Sequence, residues 1–401
     1  MTPADPLFPG DRAPAPARPL DTAVAVRRVS ALVYRAPIDT PVVTSFGVMH
    51  DRPAVLVRVE SADGAVGWGE VWANFPSCGA EHRARLVTGT LAPRLLGARF
   101  DSPAAAFVAL ERGVRTLALQ SAEWGPLAQA LAGIDIALWD LVTRRAGVPL
   151  AQALGARAGA VAVYASGINL EGAGESVARS RAAGYRVFKV KVGFGRERDL
   201  AGAREAAAAL HPGEQLMLDA NQAWDLEQAI AMARALAELE PRWLEEPLPA
   251  DRPVAEWRVL AAQAPMPLAG GENLRGLQTF EAAIESGVLG VIQPDACKWG
   301  GITGCLAVAR AVRAAGRRYC PHFLGAGIGL MASAHLLAAA GGDGLLEVDT
   351  NFNPLREALA APFPKVEGSL ALPPAPGLGV APELERARRW LVLELEATAP
   401  G

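Results

Sequence analysis

The unit that decides the fold is VFKVKVGFGRERDLAGAREAAAALHPGEQLMLDAN, residues 187–221. A short apolar run opens it (187–193), another closes it (215–221), and an Ala-rich segment of helical character lies between them. Apolar runs of this length, separated by a helical segment, are typical of parallel strands joined by a crossover helix. The stretch therefore predicts two neighbouring strands of a parallel sheet.

The same rhythm extends from residue 161 to residue 349, where eight apolar runs alternate with helical segments. Between equivalent positions the steps are 25, 30, 26, 27, 23, 27 and 25 residues. Those positions are Tyr164, Lys189, Asp219, Glu245, Glu272, Asp295, His322 and Glu347. An open, doubly wound sheet would also alternate in this way, but eight evenly spaced strands favour a closed α/β barrel with the helices outside.

The chain before the barrel has a different pattern. Residues 54–71, AVLVRVESADGAVGWGEV, alternate on both sides of an Asp-Gly turn, which indicates a β-hairpin. Helical stretches follow, ending with the amphipathic LAQALAGIDIALWDLVTRRAGV, residues 127–148. We therefore predict a flexible Pro- and Ala-rich tail over residues 1–23, an α+β domain over 24–150, the barrel over 151–350 and a C-terminal segment over 351–401.

Composition narrows the class of protein. Hydrophobic residues make up 51% of the chain and charged residues 20%, which excludes disorder over the whole length. The net charge is −3 without a basic cluster, so we expect neither nucleic acid nor a membrane as a partner. The four cysteines show no C-x-x-C spacing, and the N-terminus lacks a secretory pattern. The most apolar stretch, residues 325–342, contains His335 and five glycines, which indicates a buried helix rather than a membrane span. Together these features predict a soluble, cytoplasmic protein.

Polar side chains mark the carboxyl ends of the predicted strands, which meet at one rim of a parallel barrel. Asp219, Glu245 and Glu272 come from consecutive strands, about 4.8 Å apart, so they could surround one ion. Oxygen ligands of this kind suit a hard divalent cation, which makes Mg²⁺ the first choice and Mn²⁺ the alternative. Glu246 follows Glu245 on the opposite face of the strand and is expected to be a structural partner.

Candidate acid–base groups lie on two sides of these carboxylates. Lys189 and Lys191 are two residues apart on one strand, so both side chains are predicted to face the barrel interior. Repulsion between the two ammonium groups is expected to lower the pKa of at least one of them, which would let it act as a general base. Asn221 places an amide on the same face as Asp219. On the other side, Asp295 and His322 are predicted to form an acid–base pair. The eighth strand then adds Glu347 as a hydrogen-bonding group.

These motifs together resemble the enolase superfamily, and within it the branch of mandelate racemase and the acid-sugar dehydratases. The matching motifs are K-x-K at Lys189, D-x-N at Asp219, EEP from Glu245, GEN around Glu272, PDA-x-K-x-GG with Asp295, and His322. The related muconate lactonizing branch places a catalytic lysine on the sixth strand, and Lys298 lies in that region. The presence of Asp295 with His322 favours the racemase-like branch.

The resemblance implies a modified TIM barrel, (β/α)₇β, under an α+β capping domain, with a C-terminal segment that returns to the cap. It also implies Mg²⁺-dependent removal of the proton α to a carboxylate, with the enediolate held by the metal, Lys189 and Glu347. Dehydration of an acid sugar or another 2-hydroxy acid is the favoured reaction. Racemisation or epimerisation is the alternative, and a non-catalytic binding barrel is a distant third. We also expect a homo-oligomer.

Substrate specificity is expected to come from two segments of the cap, TSFGVMHDR (44–52) and VWANFPSCG (71–79). Phe46, His50 and Trp72 in these segments, with Asn221 of the barrel, are the predicted substrate-binding residues. The segments are rich in apolar side chains and carry few charges, whereas a long polyhydroxylated acid would favour more hydrogen-bonding groups.

Overall fold

The computed structural model describes residues 22–360 and 365–399. The predicted N-terminal tail lies, up to residue 21, outside the described residues. The chain opens with an antiparallel sheet of β1 (Val24–Thr44), β2 (Gly47–Ser61) and β3 (Val66–Val71). The remaining elements of the cap are α1 (Gly79–Arg85), a π-helical turn (Leu86–Leu91), α2 (Ala92–Leu95), β4 (Arg99–Phe100), α3 (Pro103–Ser121), α4 (Trp124–Arg145) and α5 (Leu150–Ala153).

The cap sheet lies between two hydrophobic cores, because its side chains alternate from face to face. Val33 and Val55 pack on the α4 side, whereas Tyr34 and Leu56 pack toward the barrel. Helix α4 approaches β3 so closely that a Cβ on Gly69 would lie 2.0 Å from the carbonyl oxygen of Gly133. Glycine is therefore required at this crossing. Helix α4 is long and apolar enough to cross a membrane, but 78% of its apolar stretch is buried in the protein, as in the core helix of a soluble protein.

Eight parallel strands and seven helices alternate after the cap, as the sequence predicts. The strands are β5 (Ala160–Ile168), β6 (Val187–Lys191), β7 (Gln215–Asp219), β8 (Leu244–Glu245), β9 (Leu268–Gly270), β10 (Val291–Ile292), β11 (Arg318–Tyr319) and β12 (Leu346–Asp349). The helices are α6 (Ala173–Ala182), α7 (Arg196–Ala208), α8 (Leu226–Leu236, followed by a 3₁₀ turn, Ala237–Leu239), α9 (Val254–Ala261), α10 (Leu277–Ser286), α11 (Gly301–Ala314) and α12 (Gly327–Ala340).

The strands pair in chain order from β5 to β11, and β12 pairs in parallel with β5. The two ends of the sheet meet where the backbone N–H of Leu345 donates to the Sγ of Cys320 at 3.3 Å. This arrangement is the predicted (β/α)₇β barrel. Helix α12 is the buried helix predicted within residues 325–342. Its His335 accepts a hydrogen bond from the N–H of Ala151 at Nδ1, and Nε2 donates to the carbonyl of Leu378, so this histidine has a structural role.

The C-terminal segment contacts both the barrel and the cap. Its elements are α13 (Pro354–Leu359), β13 (Lys365–Val366), β14 (Ser369–Ala371), α14 (Leu384–Ala387), a 3₁₀ turn (Arg388–Trp390) and β15 (Leu391–Thr398). Strand β14 pairs with β5, and β15 pairs antiparallel with β1 of the cap. The chain thus returns to the cap at its end.

Two buried carboxylates of the cap hold it over the barrel mouth. Glu70 accepts hydrogen bonds from the backbone N–H groups of Ala326 (2.5 Å) and Gly329 (2.8 Å), where α12 begins. Asp135 accepts from the N–H of Thr303 at 2.9 Å, in the first turn of α11. Unpaired N–H groups and the helix dipole favour a carboxylate at these positions. Because barrel helices begin at the rim where the strands end, these contacts place the cap above that rim.

Candidate active site

The candidate site is a polar layer on an apolar floor inside the barrel. The floor contains Tyr164, Val187, Met217, Trp243, Ala269, Val291, Cys320 and Leu345. Two residues further along most strands, on the same face, lie Ser166, Lys189, Asp219, Glu245, Gln293, His322 and Glu347. The alternation of side chains along each strand therefore stacks the polar layer directly above the floor.

Two of the predicted metal ligands are firmly held by neighbouring barrel side chains. Asp219 and Glu245 are paired across β7 and β8. Asp219 accepts hydrogen bonds from the backbone N–H and side-chain amide of Asn221, at 2.9 and 3.1 Å. Glu245 accepts from Nζ of Lys189 at 2.5 Å and from Nε2 of Gln293 at 2.6 Å. Burial raises the pKa of Glu245 to about 7, against the opposing charge of Lys189.

The third predicted ligand, Glu272, reaches the site from the loop after β9. Gly271 precedes it with a φ of +135°, and a Cβ there would lie 2.9 Å from the backbone nitrogen of Gln293. The Glu272 carboxylate lies 2.8 Å from Nε2 of His322 and 3.3 Å from Nζ of Lys298. Although burial opposes its charge, these two cations hold the pKa of Glu272 well below its usual range.

The donor set and charge of the site fit a divalent cation. Within the described part of the chain, no three His, Cys, Asp or Glu side chains converge on one point as they stand, because each carboxylate is turned toward a lysine or histidine. The site nevertheless gathers five carboxylates against three ammonium groups and His322, so it carries one excess negative charge when the histidine is protonated and two when it is neutral. The carboxylates are Asp219, Glu245, Glu272, Asp295 and Glu347, and the ammonium groups belong to Lys189, Lys191 and Lys298. A hard cation bound by oxygen ligands would balance this charge.

The prediction that at least one of the two lysines has a lowered pKa is wrong. Burial disfavours the charge of Lys189, but Glu245 and Glu347 outweigh it and raise the pKa well above its ordinary value. Lys191 behaves in the same way, since Asp219 raises its pKa more than Lys189 lowers it. Each ammonium group lies beside a carboxylate, such as Asp219 at 3.3 Å from Nζ of Lys191. Attraction to the carboxylates therefore dominates over repulsion between the lysines.

Asp295 and His322 are directly paired, and Glu347 connects the two sides of the site. Nδ1 of His322 lies 2.8 Å from Oδ2 of Asp295. Burial disfavours the imidazolium, but Glu272, Glu347 and Asp295 outweigh it and raise the pKa of His322 well above its ordinary value. Glu347 lies 2.8 Å from Nζ of Lys189 and 3.9 Å from Nε2 of His322. Despite burial, these cations lower the pKa of Glu347 to about 2.

The four predicted substrate-binding residues differ in their contacts with the site. Asn221 lies in the site, where its Oδ1 accepts a hydrogen bond from Nζ of Lys191 at 2.6 Å. Phe46 is exposed at the tip of the cap hairpin, next to Ser45, whose hydroxyl donates to the carbonyl of Asn221 at 3.1 Å. The ring of Trp72 lies 4.8 Å from Nζ of Lys298. By contrast, His50 is exposed on the hairpin and makes no side-chain hydrogen bond or ion pair with the described residues of the site.

Sequence reasoning missed two residues that hold carboxylates of the site, and it named Lys298 only through the muconate lactonizing branch, not as a partner of Glu272. Ser166 donates a hydrogen bond from its hydroxyl to Glu347, and Gln293 donates to Glu245. Each lies two residues along a strand from a floor residue, so strand alternation could have identified both. Lys298 contacts Glu272, but it lies in the loop after β10, where no strand period applies.

A barrel with a capping domain, paired lysines, strand-end carboxylates and an Asp–His pair defines a class of metal-assisted proton-transfer enzymes. The comparisons with known proteins agree. Residues 26–155 match the N-terminal domain of the mandelate racemase / muconate lactonizing enzyme family, and residues 173–387 match the enolase C-terminal domain-like family. The chain belongs to the mandelate racemase / muconate lactonizing enzyme family of the enolase superfamily.

Three relatives illustrate the similarity. A crystal structure of a mandelate racemase/muconate lactonizing enzyme from Bordetella bronchiseptica RB50 is 55% identical, with a TM-score of 0.86, and the match covers 92% of this chain and 99% of that one. D-galactarolactone cycloisomerase of Agrobacterium fabrum is 31% identical over 86% of this chain and 92% of its own. L-talarate/galactarate dehydratase of Salmonella typhimurium LT2, liganded with Mg and L-lyxarohydroxamate, is 28% identical, with a TM-score of 0.82, over 100% of this chain and 98% of its own.

Proposed function

We propose that this protein removes the proton α to the carboxylate of a small organic acid with the help of Mg²⁺, and that the overall reaction is dehydration of an acid sugar or another 2-hydroxy acid. The observation that carries the proposal is the placement of Lys191 and the Asp295–His322 pair on different sides of a cluster in which carboxylates outnumber cationic side chains. The cycloisomerase and the dehydratase among the relatives support the same class of chemistry and a small-molecule acid as substrate.

Asp219, Glu245 and Glu272 would hold the metal. When bound, Mg²⁺ would stabilise the negative charge that develops on the substrate carboxylate as the α-proton leaves. Lys189 would donate to the remaining carboxylate oxygen, and Glu347, which lies 2.8 Å from Nζ of Lys189, would donate to it only after taking up a proton. Mn²⁺ is the alternative ion, because it accepts the same oxygen ligands.

Lys191 would act as the base that takes the α-proton. Its pKa is raised chiefly by Asp219, against burial and Lys189. A metal held by Asp219 would engage the charge of this carboxylate, so burial and Lys189 would become the main influences on the pKa of Lys191, and both lower it. A lysine with a lowered pKa can accept a proton near neutral pH.

His322 would act as the acid for the departing β-hydroxyl. Asp295 holds Nδ1 at 2.8 Å, which leaves Nε2 to face the site. If the substrate lacks a β-hydroxyl, the same imidazole could return a proton to the second face of the α-carbon. Racemisation or epimerisation is therefore the second candidate function, favoured by acid–base groups on both sides of the site.

The test is exchange of the α-proton in deuterated water with Mg²⁺, over a panel of acid sugars, diacids and amino acids. We expect the wild type to exchange and dehydrate one class, His322→Asn to exchange without product, and Lys191→Ala to do neither. His82→Asn, which changes a half-buried histidine of the cap that pairs with Glu123, is the control and should match the wild type. Racemisation would replace dehydration if His322→Asn exchanged one enantiomer only. A wild type that exchanged no acid of the panel would favour the binding barrel.

We further propose that the protein is a cytoplasmic homo-oligomer that acts on a small molecule, with no nucleic acid or membrane partner. We retain residues 24–150, 151–350 and 351–401 as its capping domain, barrel and C-terminal segment. The apolar side chains of the cap hairpin support a short acid or one with an apolar distal group. Size-exclusion chromatography with light scattering tests the oligomeric state.

A further inference from the structure

The three carboxylates proposed as metal ligands differ in how they are held. Asp219 and Glu245 are 2% and 1% exposed, and both accept hydrogen bonds from neighbouring strands and their immediate ends. Glu272 is 14% exposed and comes from a loop. Its partners in the described structure are His322, Lys298 and, at 3.4 Å, the amide of Asn273. The position of Glu272 therefore depends on groups outside the strand ladder.

Lys298 occupies a fixed position between the barrel and the cap. Its ammonium group donates to Oδ1 of Asn273 at 2.7 Å and lies 3.3 Å from Oε1 of Glu272. The same Nζ lies 4.8 Å from the centre of the Trp72 ring, within the range of a cation–π interaction. Asn273 is anchored in turn, because its Nδ2 donates to the buried carboxylate of Glu246 at 2.9 Å. The lysine is thus held on three sides.

Trp72 is the cap residue in this arrangement. It follows directly after β3, and its backbone N–H donates to the carbonyl of Cys297 at 3.1 Å, one residue before Lys298. On the cap, the guanidinium of Arg83 lies 5.5 Å from the Trp72 ring. The ring therefore joins a cap side chain to the lysine beside Glu272.

We infer that Trp72 and Lys298 are positioning residues for Glu272, through which the seating of the cap sets the affinity of the metal centre. This inference rests on the proposed function, since it requires Glu272 to be a metal ligand. Groups that orient a metal ligand commonly change affinity by about 10- to 100-fold when they are removed. The active site would thus bind its ion tightly only when the cap is in place.

A simpler role for Lys298 predicts the opposite sign. If the lysine only neutralised Glu272, its removal would leave His322 as the one cation beside this carboxylate in the described structure and strengthen the binding of a metal cation. Trp72 is uncharged, so if neutralisation were the only role, truncating Trp72 would leave the metal affinity unchanged. Positioning predicts weaker binding in both cases. The direction of the change therefore separates the two roles without an activity measurement.

The experiment is calorimetric titration of the full chain with MgCl₂, in the absence of substrate. We expect about 10-fold weaker binding in Lys298→Met and in Trp72→Leu, partial recovery in Lys298→Arg and Trp72→Phe, and a double variant no weaker than the weaker single variant. Trp390→Leu is the matched control, because Trp390 also carries a cation, Arg389, at 4.1 Å, but in the C-terminal segment. It should bind within twofold of the wild type.

Equal or tighter binding in Lys298→Met, unchanged binding in Trp72→Leu, or additive effects in the double variant would each overturn the inference. Circular dichroism of each variant, with melting recorded in EDTA, excludes misfolding, and the two conservative variants provide the comparison if a truncation fails to fold. Asp219→Ala distinguishes the two proposals. If it binds Mg²⁺ as the wild type does, or the wild type binds none, the proposed metal centre itself is wrong and the inference falls with it.

Discussion

Arg52 of the cap hairpin forms an ion pair with Asp349 at the end of β12. The hydrogen-bond partners of these two side chains determine how much free energy of unfolding each substitution should cost. Nη2 of Arg52 lies 2.5 Å from Oδ2 of Asp349, and the two side chains are 1% and 4% exposed. The other Asp349 oxygen accepts hydrogen bonds from the N–H and Nδ2 of Asn351, at 3.0 and 2.8 Å. Nη1 of Arg52, by contrast, has no hydrogen-bond partner in the described structure.

The two single substitutions should therefore differ in cost. Removing one partner of a buried pair costs about 3–5 kcal/mol. Arg52→Met leaves Asp349 with both donors from Asn351, so we expect a loss near the lower limit, about 3 kcal/mol. Asp349→Asn leaves one amide oxygen for three donors and a buried guanidinium without a counter-charge, so we expect about 5 kcal/mol.

Urea denaturation followed by circular dichroism measures both changes in the free energy of unfolding. The double variant Arg52→Met/Asp349→Asn should lose less free energy of unfolding than the two single variants added together. In the double variant both charges of the pair are gone, so no unpaired charge is left buried. The reasoning would be refuted if Arg52→Met cost more than Asp349→Asn, or if both cost less than about 1 kcal/mol.

Three further predictions concern single positions. Burial raises the pKa of Glu70 from 4.5 to about 7, so the folded protein binds a proton that the unfolded chain releases between these values. The free energy of unfolding should thus fall by about 3 kcal/mol as the pH rises through this window, and urea midpoints should show a smaller fall in Glu70→Gln. Asp295→Asn should lower the pKa of His322, measured by NMR in EDTA against a His322→Asn spectrum; an unchanged pKa would contradict the pairing. Ser166→Ala should reduce turnover about 10-fold with little change in unfolding, and an unchanged kcat would show that the Glu347 contact is dispensable.

The sequence predicts the barrel because periodicity and strand spacing are local properties. Eight apolar runs 23 to 30 residues apart leave few topologies other than a closed parallel barrel. The same regularity places Asp219 and Glu245 at strand ends, since a side chain two residues beyond a buried one lies on the same face. Gln293, which donates to Glu245, follows this rule as well and could have been predicted.

The remainder of the site depends on contacts between distant segments. The direction of the pKa shift of Lys191 cannot be inferred from Lys189 alone, because it depends on Asp219, which lies 28 residues further along the chain. The cation–π contact of Lys298 with Trp72 joins residues 226 positions apart and depends on how the cap is seated. Such long-range charge and packing relations leave no period in the sequence.

The polarity of the barrel connects the seating of the cap with the chemistry of the site. In each strand–helix unit the strand ends and the helix begins at the same rim, so side chains for catalysis and unpaired helix N–H groups face the same direction. Glu70 and Asp135 use the starts of α12 and α11, while His322 and Asp295 come from the strand ends that precede those helices. An acidic cap surface that binds these helix starts is thereby placed beside the acid–base pair. The contacts that seat the cap and the proposed acid, His322 with its partner Asp295, therefore belong to the same two strand–helix units.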